Sequence, residues 1–248
     1  MPTTRETIGN ETLVSAIVRS YPASVRVFQE YGIDFCCGGS KPLSEACREK
    51  DVSIDRLLAD VEKARRPPEG AGTRDWNAGP LSELIDHILD THHAYLRTEL
   101  PRLARMLAQV IEKHGEKHSE SLPALDETYT GLKKELTDHM WKEENVLFPL
   151  VKELERTQSS GSGAGPQRMP VSAPIMVMEQ EHEAAAAAMR EMRRLTGDYT
   201  PPEDACNAYR ALLDGLQRFE ADTHQHIHLE NNILFPKAIE LQESLSGP

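Results

Sequence analysis

The hydrophobic positions of the chain recur every three to four residues from Leu81 onward, which is the period of amphipathic α-helices. This period predicts four long helices, at residues 81–114, 122–156, 172–196 and 202–243. Each predicted helix has one apolar face that must be covered in a folded protein. Four such helices in two consecutive pairs predict a four-helix bundle.

The N-terminal part has a shorter pattern. Apolar positions from residue 11 to residue 65 predict four short helices. Between the second and third of these lies Asp34-Phe35-Cys36-Cys37-Gly38-Gly39, where two glycines allow the backbone to turn. The sequence therefore predicts an all-α protein, with a small N-terminal helical domain at residues 1–66 that carries the Cys-Cys-Gly-Gly loop.

Two segments interrupt the helical pattern. Residues 67–80 begin with two prolines and contain several glycines, and we interpret them as the linker between the domains. The bundle then occupies residues 81–246. Inside it, residues 157–170 are rich in serine and glycine and predict a flexible insert between the second and third long helices.

Composition narrows the class of protein. The 248 residues carry a formal net charge of −12, which disfavours nucleic acid or an anionic membrane as the main partner. Neither a signal peptide nor an apolar run of membrane-spanning length is found, so we expect a cytoplasmic protein with no membrane partner. Cys36 and Cys37 are adjacent, and Cys47 and Cys206 show no disulfide framework, so all four are expected to be thiols.

One eleven-residue segment occurs twice. The pattern H-x-x-x-E-x-N-[VI]-L-F-P begins at His139 and again at His226, with Glu143 and Glu230 at its fifth position. Residues i and i+4 of an α-helix project from the same face, one turn apart. An imidazole and a carboxylate in that relation can converge on a metal ion. A single pair is also common as a helix-stabilising contact, but the duplication predicts a two-metal site.

The duplication implies one further histidine on the first helix of each pair. His182 precedes His226 by 44 residues, and His93 precedes His139 by 46 residues. Spacing alone does not separate His93 from His92, whereas helical phase does. His93 lies on the apolar stripe of its helix and His92 is rotated by about 100° toward a polar side. The same phase test places the other five side chains on core-facing stripes.

Six ionisable side chains on core stripes would be costly to bury without a counter-charge, although a lone histidine there is usually structural. Four imidazoles and two carboxylates suit two first-row metal ions, with each carboxylate free to bridge them. Iron fits this donor set well, and manganese and zinc remain open. The charge balance leaves room for an oxo or hydroxo bridge and a small ligand such as O₂ or NO. The predicted metal ligands are His93, His139, Glu143, His182, His226 and Glu230.

The sequence leaves the roles of the remaining cysteine and histidine candidates open. Cys36 and Cys37 are either two reduced thiols in a turn or a reactive pair that binds iron, exchanges disulfides or accepts NO. The other six histidines have no matched partner and are expected at the surface or beside the metal ligands. They are His87, His92, His114, His118, His224 and His228.

The Asp34–Gly39 loop, followed by the two H-x-x-x-E-x-N-x-L-F-P segments, resembles the iron–sulfur cluster repair di-iron proteins, the YtfE/ScdA-like Repair of Iron Centres family, over residues 12–241. The resemblance implies a haemerythrin-like four-helix bundle with two non-haem iron ions on the six residues above, the two glutamates bridging. The serine- and glycine-rich insert departs from that family's pattern.

The resemblance implies repair of clusters damaged by nitrosative or oxidative stress, by iron supply or NO handling at the di-iron centre. Its expected partners are damaged iron–sulfur proteins and small ligands such as NO or O₂, and it allows a homodimer. Two alternatives use the same site: an NO- or O₂-binding scavenger or sensor, and an NO reductase. Whether the protein is an enzyme stays open.

Overall fold

A computed structural model describes residues 8–21, 24–35, 39–64, 76–160 and 170–246. Within these ranges the chain is helical, and its only β-type pairing is an isolated bridge between Leu13 and Pro42. The predicted thiols Cys36 and Cys37 lie outside the described residues, as do most of the predicted linker and residues 161–169 of the predicted insert. The all-α prediction is confirmed.

Four short helices form the N-terminal part: α1 (Val14–Ser20), α2 (Ser24–Glu30), α3 (Leu43–Glu49) and α4 (Ile54–Ala64). The loop before α3 runs close to α1, where the Ser15 N–H donates to the Gly39 carbonyl at 2.8 Å. A Cβ atom at Gly39 would lie 2.7 Å from the Phe35 carbonyl oxygen and 2.9 Å from the Ser15 Cβ. The second glycine of the Cys-Cys-Gly-Gly loop is therefore required by close packing rather than by a turn.

The four long helices occur where the sequence predicts them, although three of them are interrupted by a π-helical turn. The first comprises α5 (Leu81–His87), π1 (Ile88–His93) and α6 (Ala94–His114). The second comprises α7 (Ser121–Lys142), π2 (Glu143–Leu147) and α8 (Phe148–Ser160). The third is α9 (Ser172–Leu195). The fourth comprises α10 (Asn207–Leu229), π3 (Glu230–Leu234) and α11 (Phe235–Ser246). Because α8 extends to Ser160, the predicted insert begins within its last turn.

The long helices pack around a common core. Helix α7 contacts α6 and α9, and α8 contacts α5 and α11. Tyr129 of α7 meets Phe219 of α10 with the ring centroids 6.1 Å apart, and the Tyr129 hydroxyl donates to the Leu100 carbonyl at 2.9 Å. Both rings are buried. The stripes used to predict the helices thus face inward, and the helices form the predicted bundle.

Each π-helical turn begins or ends at a predicted ligand. His93 is the last residue of π1, whereas Glu143 and Glu230 are the first residues of π2 and π3. Pro149 and Pro236 follow π2 and π3 by two residues. A proline has no N–H to donate to the preceding turn, and single π-helical turns inside α-helices are frequent at functional sites.

The chain divides into two compact units. One contains the residues up to Gly79 together with Ile227–Ile233, and the other contains Pro80–His226 and Leu234–Pro248. The domain boundary predicted at residues 67–80 falls largely outside the described residues and stays a prediction. None of the described helices is long and apolar enough to cross a membrane.

Candidate metal centre

All six predicted ligands are buried in the interior of the bundle. Their relative exposure is 2% or less, although each is polar or ionisable. They fall into two sets of four, and within each set the potential ligand atoms lie within 4.8 Å of one another. One set is His93, Glu143, His226 and Glu230; the other is His139, Glu143, His182 and Glu230.

The histidines form two pairs, each joining different helices. The Nε2 atoms of His93 and His226 are 3.3 Å apart, and those of His139 and His182 are 3.1 Å apart. Each histidine belongs to one set only, whereas the two glutamates belong to both. This arrangement provides two adjacent groups of nitrogen donors with two carboxylates shared between them.

Glu143 lies between the two histidine pairs. Its Oε2 is 3.2 Å from the Nε2 of His93, and its Oε1 is 3.1 Å from the Nε2 of His139. Apart from these contacts with candidate ligand nitrogens, neither oxygen has a hydrogen-bond partner among the described residues. Burial by itself would raise the pKa of Glu143, but the imidazoles of His139, His93 and His226, in their protonated form, outweigh burial and hold that pKa well below its ordinary value. The carboxylate is therefore ionised, buried and open to a cation.

Two carboxylates orient the imidazoles from outside. The Nδ1 of His93 lies 2.6 Å from Glu144, which also pairs with Arg97. The Nδ1 of His139 lies 2.9 Å from Glu181, which also pairs with Lys142. An ionised carboxylate only accepts hydrogen bonds, so Nδ1 carries the proton in both rings.

In the neutral ring, which is the form that binds a metal, a proton on Nδ1 leaves a lone pair on Nε2. For His93 and His139 that lone pair points into the centre, where Glu143 also lies. A carboxylate behind a ligating imidazole fixes the ring orientation and raises its basicity. The donor set, its tautomers and the Glu143 oxygens all fit two first-row metal ions.

The sequence interpretation missed these outer carboxylates. Glu144 directly follows Glu143 and Glu181 directly precedes His182, so an acidic residue next to a predicted ligand was the available signal. The sequence interpretation also placed His92 on the polar side of its helix. The structure instead buries the His92 ring, which stacks on His226 with centroids 5.6 Å apart and places its Nδ1 3.0 Å from Asp222. Of the two positions expected for His92, at the surface or beside a metal ligand, the structure shows the second, because α10 covers that side.

Other predicted candidates lie elsewhere. The structure does not describe Cys36 and Cys37, so their role stays a prediction. His228 is buried with its ring 5.8 Å from Phe35, and burial lowers its pKa to about 4. Cys47 is a buried thiol whose pKa is raised by burial. His114 belongs to a separate cluster at the end of α6.

Comparisons with known proteins match two family models and several relatives to this chain. Residues 84–238 match the family model of the Hemerythrin HHE cation binding domain, and residues 10–65 match that of ScdA_N, a domain of unknown function. The iron-sulfur cluster repair protein YtfE of Pectobacterium atrosepticum is 40% identical over 218 residues, which cover 88% of this chain and 92% of that protein. The protein of the same name from Yersinia pestis is 37% identical over 231 residues, covering 93% and 97%.

Proposed function

Because this chain belongs to the hemerythrin HHE cation-binding family and to the family of its YtfE relatives, we propose that it repairs iron–sulfur clusters with a di-iron centre. The clusters in question are those damaged by nitrosative or oxidative stress. The relatives are named iron-sulfur cluster repair proteins, which supports cluster repair, and the two histidine pairs around shared carboxylates support a dinuclear site. The second observation carries the proposal for this chain.

Each iron ion would be held by one histidine pair and by both glutamates. His93 and His226 would bind one ion, and His139 and His182 the other, with Glu143 and Glu230 common to both. Non-haem iron in this donor set supplies a reversible redox couple and a binding place for NO or O₂. Manganese and zinc would satisfy several of the same donors, so metal identity is part of what the experiment must measure.

The protein's own groups prepare the site. Glu144 and Glu181 hold the protons of His93 and His139 on Nδ1, away from the metal side. Burial of the ligands excludes water and strengthens the interaction between carboxylate and cation. Release of iron therefore requires local opening of the bundle, and the π-helical turns at the ligand positions are the least regular parts of the long helices.

Iron transfer is the direct test. An iron–sulfur enzyme inactivated by NO is incubated with the iron-loaded protein, and both the recovered activity and the iron left on this chain are measured. Recovery with an equivalent loss of iron is the expected result. A His139→Ala variant should give no recovery of enzyme activity. Glu183→Gln, which changes an exposed residue, should behave as wild type.

A second candidate function is binding of NO or O₂ without iron release. It is favoured by the complete burial of the ligands, which would retain the metal. In that case the iron content stays constant, the optical spectrum changes with NO, and the damaged enzyme gains nothing beyond removal of free NO. This outcome would contradict iron supply while preserving the di-iron centre. Catalytic consumption of NO with an electron donor would identify a reductase instead.

Further partners follow from the same proposal. Damaged iron–sulfur proteins are its macromolecular targets, and NO or O₂ its small ligands. Cys36 and Cys37 are proposed as thiols that assist in the transfer, which a Cys36→Ser, Cys37→Ser double variant would test in the same assay. A homodimer and a cytoplasmic location stay predictions, to be checked by the molar mass in solution and by cell fractionation.

A further inference from the structure

A second group of metal-binding side chains lies far from the centre described above. His114 is the last residue of α6, His118 follows in the connection to α7, and Asp204 and Cys206 lie just before α10 begins at Asn207. His93 and His114 are 21 residues apart on one continuous helix, which corresponds to about 30 Å at 1.5 Å per residue. The group is therefore independent of the buried histidine pairs.

Two short contacts each join a side chain at or after the end of α6 to one before α10. The Nε2 of His118 lies 3.1 Å from the Oδ1 of Asp204, and the Nε2 of His114 lies 3.2 Å from the Sγ of Cys206. Ligand atoms of His114, His118 and Asp204 all lie within 4.8 Å of one another. In a tetrahedral zinc site, ordinary bond lengths place nitrogen about 3.3 Å from oxygen and about 3.5 Å from sulfur. The two observed separations are close to these values, and the Cys206 sulfur joins the set of three through its contact with His114.

The backbone holds the two histidines in ligand spacing. The His118 N–H donates to the His114 carbonyl at 3.0 Å, so the two residues stand one helical turn apart on one face. The Tyr209 ring packs against both imidazoles, with centroid distances of 5.4 and 5.8 Å. Tyr209 is buried and packs on the rings from the protein side, while His114 and His118 are half-buried and Asp204 is exposed.

The electrostatics favour the ligand forms of the two remaining groups. The pKa of Cys206 is lowered to about 7, mainly by the Tyr209 backbone N–H at the start of α10 and then by His114. The pKa of Asp204 is lowered, chiefly by the hydrogen bond with His118. Lys117 lies 3.5 Å from Asp204, but it contacts Oδ2 and leaves Oδ1 to the histidine side.

We propose that His114, His118, Asp204 and Cys206 form a second, solvent-accessible metal site for a divalent transition metal of the zinc class. Two imidazoles, a thiolate and a carboxylate are a donor set of the tetrahedral zinc type. The thiolate distinguishes this site from the buried centre, whose donors are nitrogen and oxygen only. The metal would tie the connection after α6 to the segment before α10.

Cobalt(II) provides a selective probe, because a thiolate ligand gives an intense charge-transfer band that imidazole and carboxylate ligands lack. The full-length protein is first loaded with iron and then titrated anaerobically with Co²⁺. We expect one additional Co²⁺ per chain, accompanied by the thiolate band. Zn²⁺ should displace it and abolish the band.

Variants assign the ligands. Cys206→Ser should lose the band, and His118→Gln and Asp204→Asn should each weaken Co²⁺ binding by at least about tenfold, equivalent to about 1.4 kcal/mol. A Cys36→Ser, Cys37→Ser double variant should retain the band, and so should His87→Gln, which removes a histidine outside the group. Asp204 is exposed, so its variant keeps the test valid if His118→Gln fails to fold.

Three results would overturn the proposal. One is the absence of a thiolate band in the wild type, and another is a band that survives Cys206→Ser. The third is loss of the band in Cys206→Ser together with unchanged Co²⁺ affinity in His118→Gln and Asp204→Asn. That result would identify an isolated thiolate rather than a metal site. Iron content, measured in parallel, should be the same in all these variants.

Discussion

Replacement of Glu181 by glutamine tests whether the outer carboxylates tune the metal centre. The Glu181 carboxylate lies 2.9 Å from the Nδ1 of His139 and also pairs with Lys142. Burial would raise its pKa, but Lys142 and His139 together lower it, so the group is ionised at neutral pH. Glutamine can still accept the hydrogen bond, but without the charge.

The expected loss follows from the hydrogen-bond energies. A bond to a charged group contributes about 1.5–3 kcal/mol, and a neutral one about 0.5–1.5 kcal/mol. The difference of about 1–1.5 kcal/mol corresponds to about a tenfold loss of metal affinity in Glu181→Gln. Removal of the group in Glu181→Ala should cost up to about 100-fold, the upper range for carboxylates that orient a ligating histidine.

Competition with a chelator at pH 7 measures this affinity on iron-loaded protein. Glu183→Gln is the matched control, because it makes the same charge change at an exposed position of the same helix. If Glu181→Gln releases iron at the same chelator concentration as Glu183→Gln, His139 does not depend on Glu181 for its orientation, and the reasoning is refuted.

Three further predictions concern stability, acid release and thiol reactivity. Phe219→Ala should lower the free energy of unfolding by about 3–5 kcal/mol in chemical denaturation, because the ring is fully buried. Trp141→Ala, at a residue that is 62% exposed, should change the free energy of unfolding by less than about 0.5 kcal/mol. Equal effects of the two substitutions would contradict the assigned core. Bound iron should be lost as the pH falls below about 6.5, because imidazoles protonate there. The lowered pKa of Glu143 keeps its carboxylate ionised below 4.5, so this group does not account for the loss. Full retention of iron at pH 5 would argue against histidine ligands. The rate of Cys206 alkylation should rise with pH with a midpoint near pH 7, because the lowered pKa of the thiol favours the thiolate from that pH upward. His114→Gln should raise the midpoint. A wild-type midpoint near pH 9 would refute this prediction.

The sequence was sufficient to predict the long helices and the convergence of the six buried side chains. Helical phase alone separated His93 from His92, because a rotation of about 100° moves a side chain from the apolar face to a polar one. The duplicated motif then reduced the alternatives further, since matching helices of a duplicated bundle should carry matching ligands. These inferences depend on local periodicity, which a single sequence records well.

Features that depend on packing between distant segments were not predicted. The π-helical turns at Glu143 and Glu230 have hydrogen bonds from residue i to i+5, and the 3.6-residue hydrophobic period does not distinguish such a turn from α-helix. The burial of His92 depends on α10, where Asp222 is 130 residues away. The group at His114 joins an H-x-x-x-H spacing to a D-x-C spacing 86 residues later, and neither is distinctive alone.

Metal stoichiometry tests the central claim most directly. Protein reconstituted with iron and freed of loosely bound metal should contain two iron ions per chain by elemental analysis. Glu143→Ala removes a carboxylate shared by both sets of ligands and should reduce the content of both ions together, while Glu183→Gln should retain two. A wild-type protein that binds no more than one metal ion at the buried centre, or a Glu143→Ala variant that still holds two, would contradict the account.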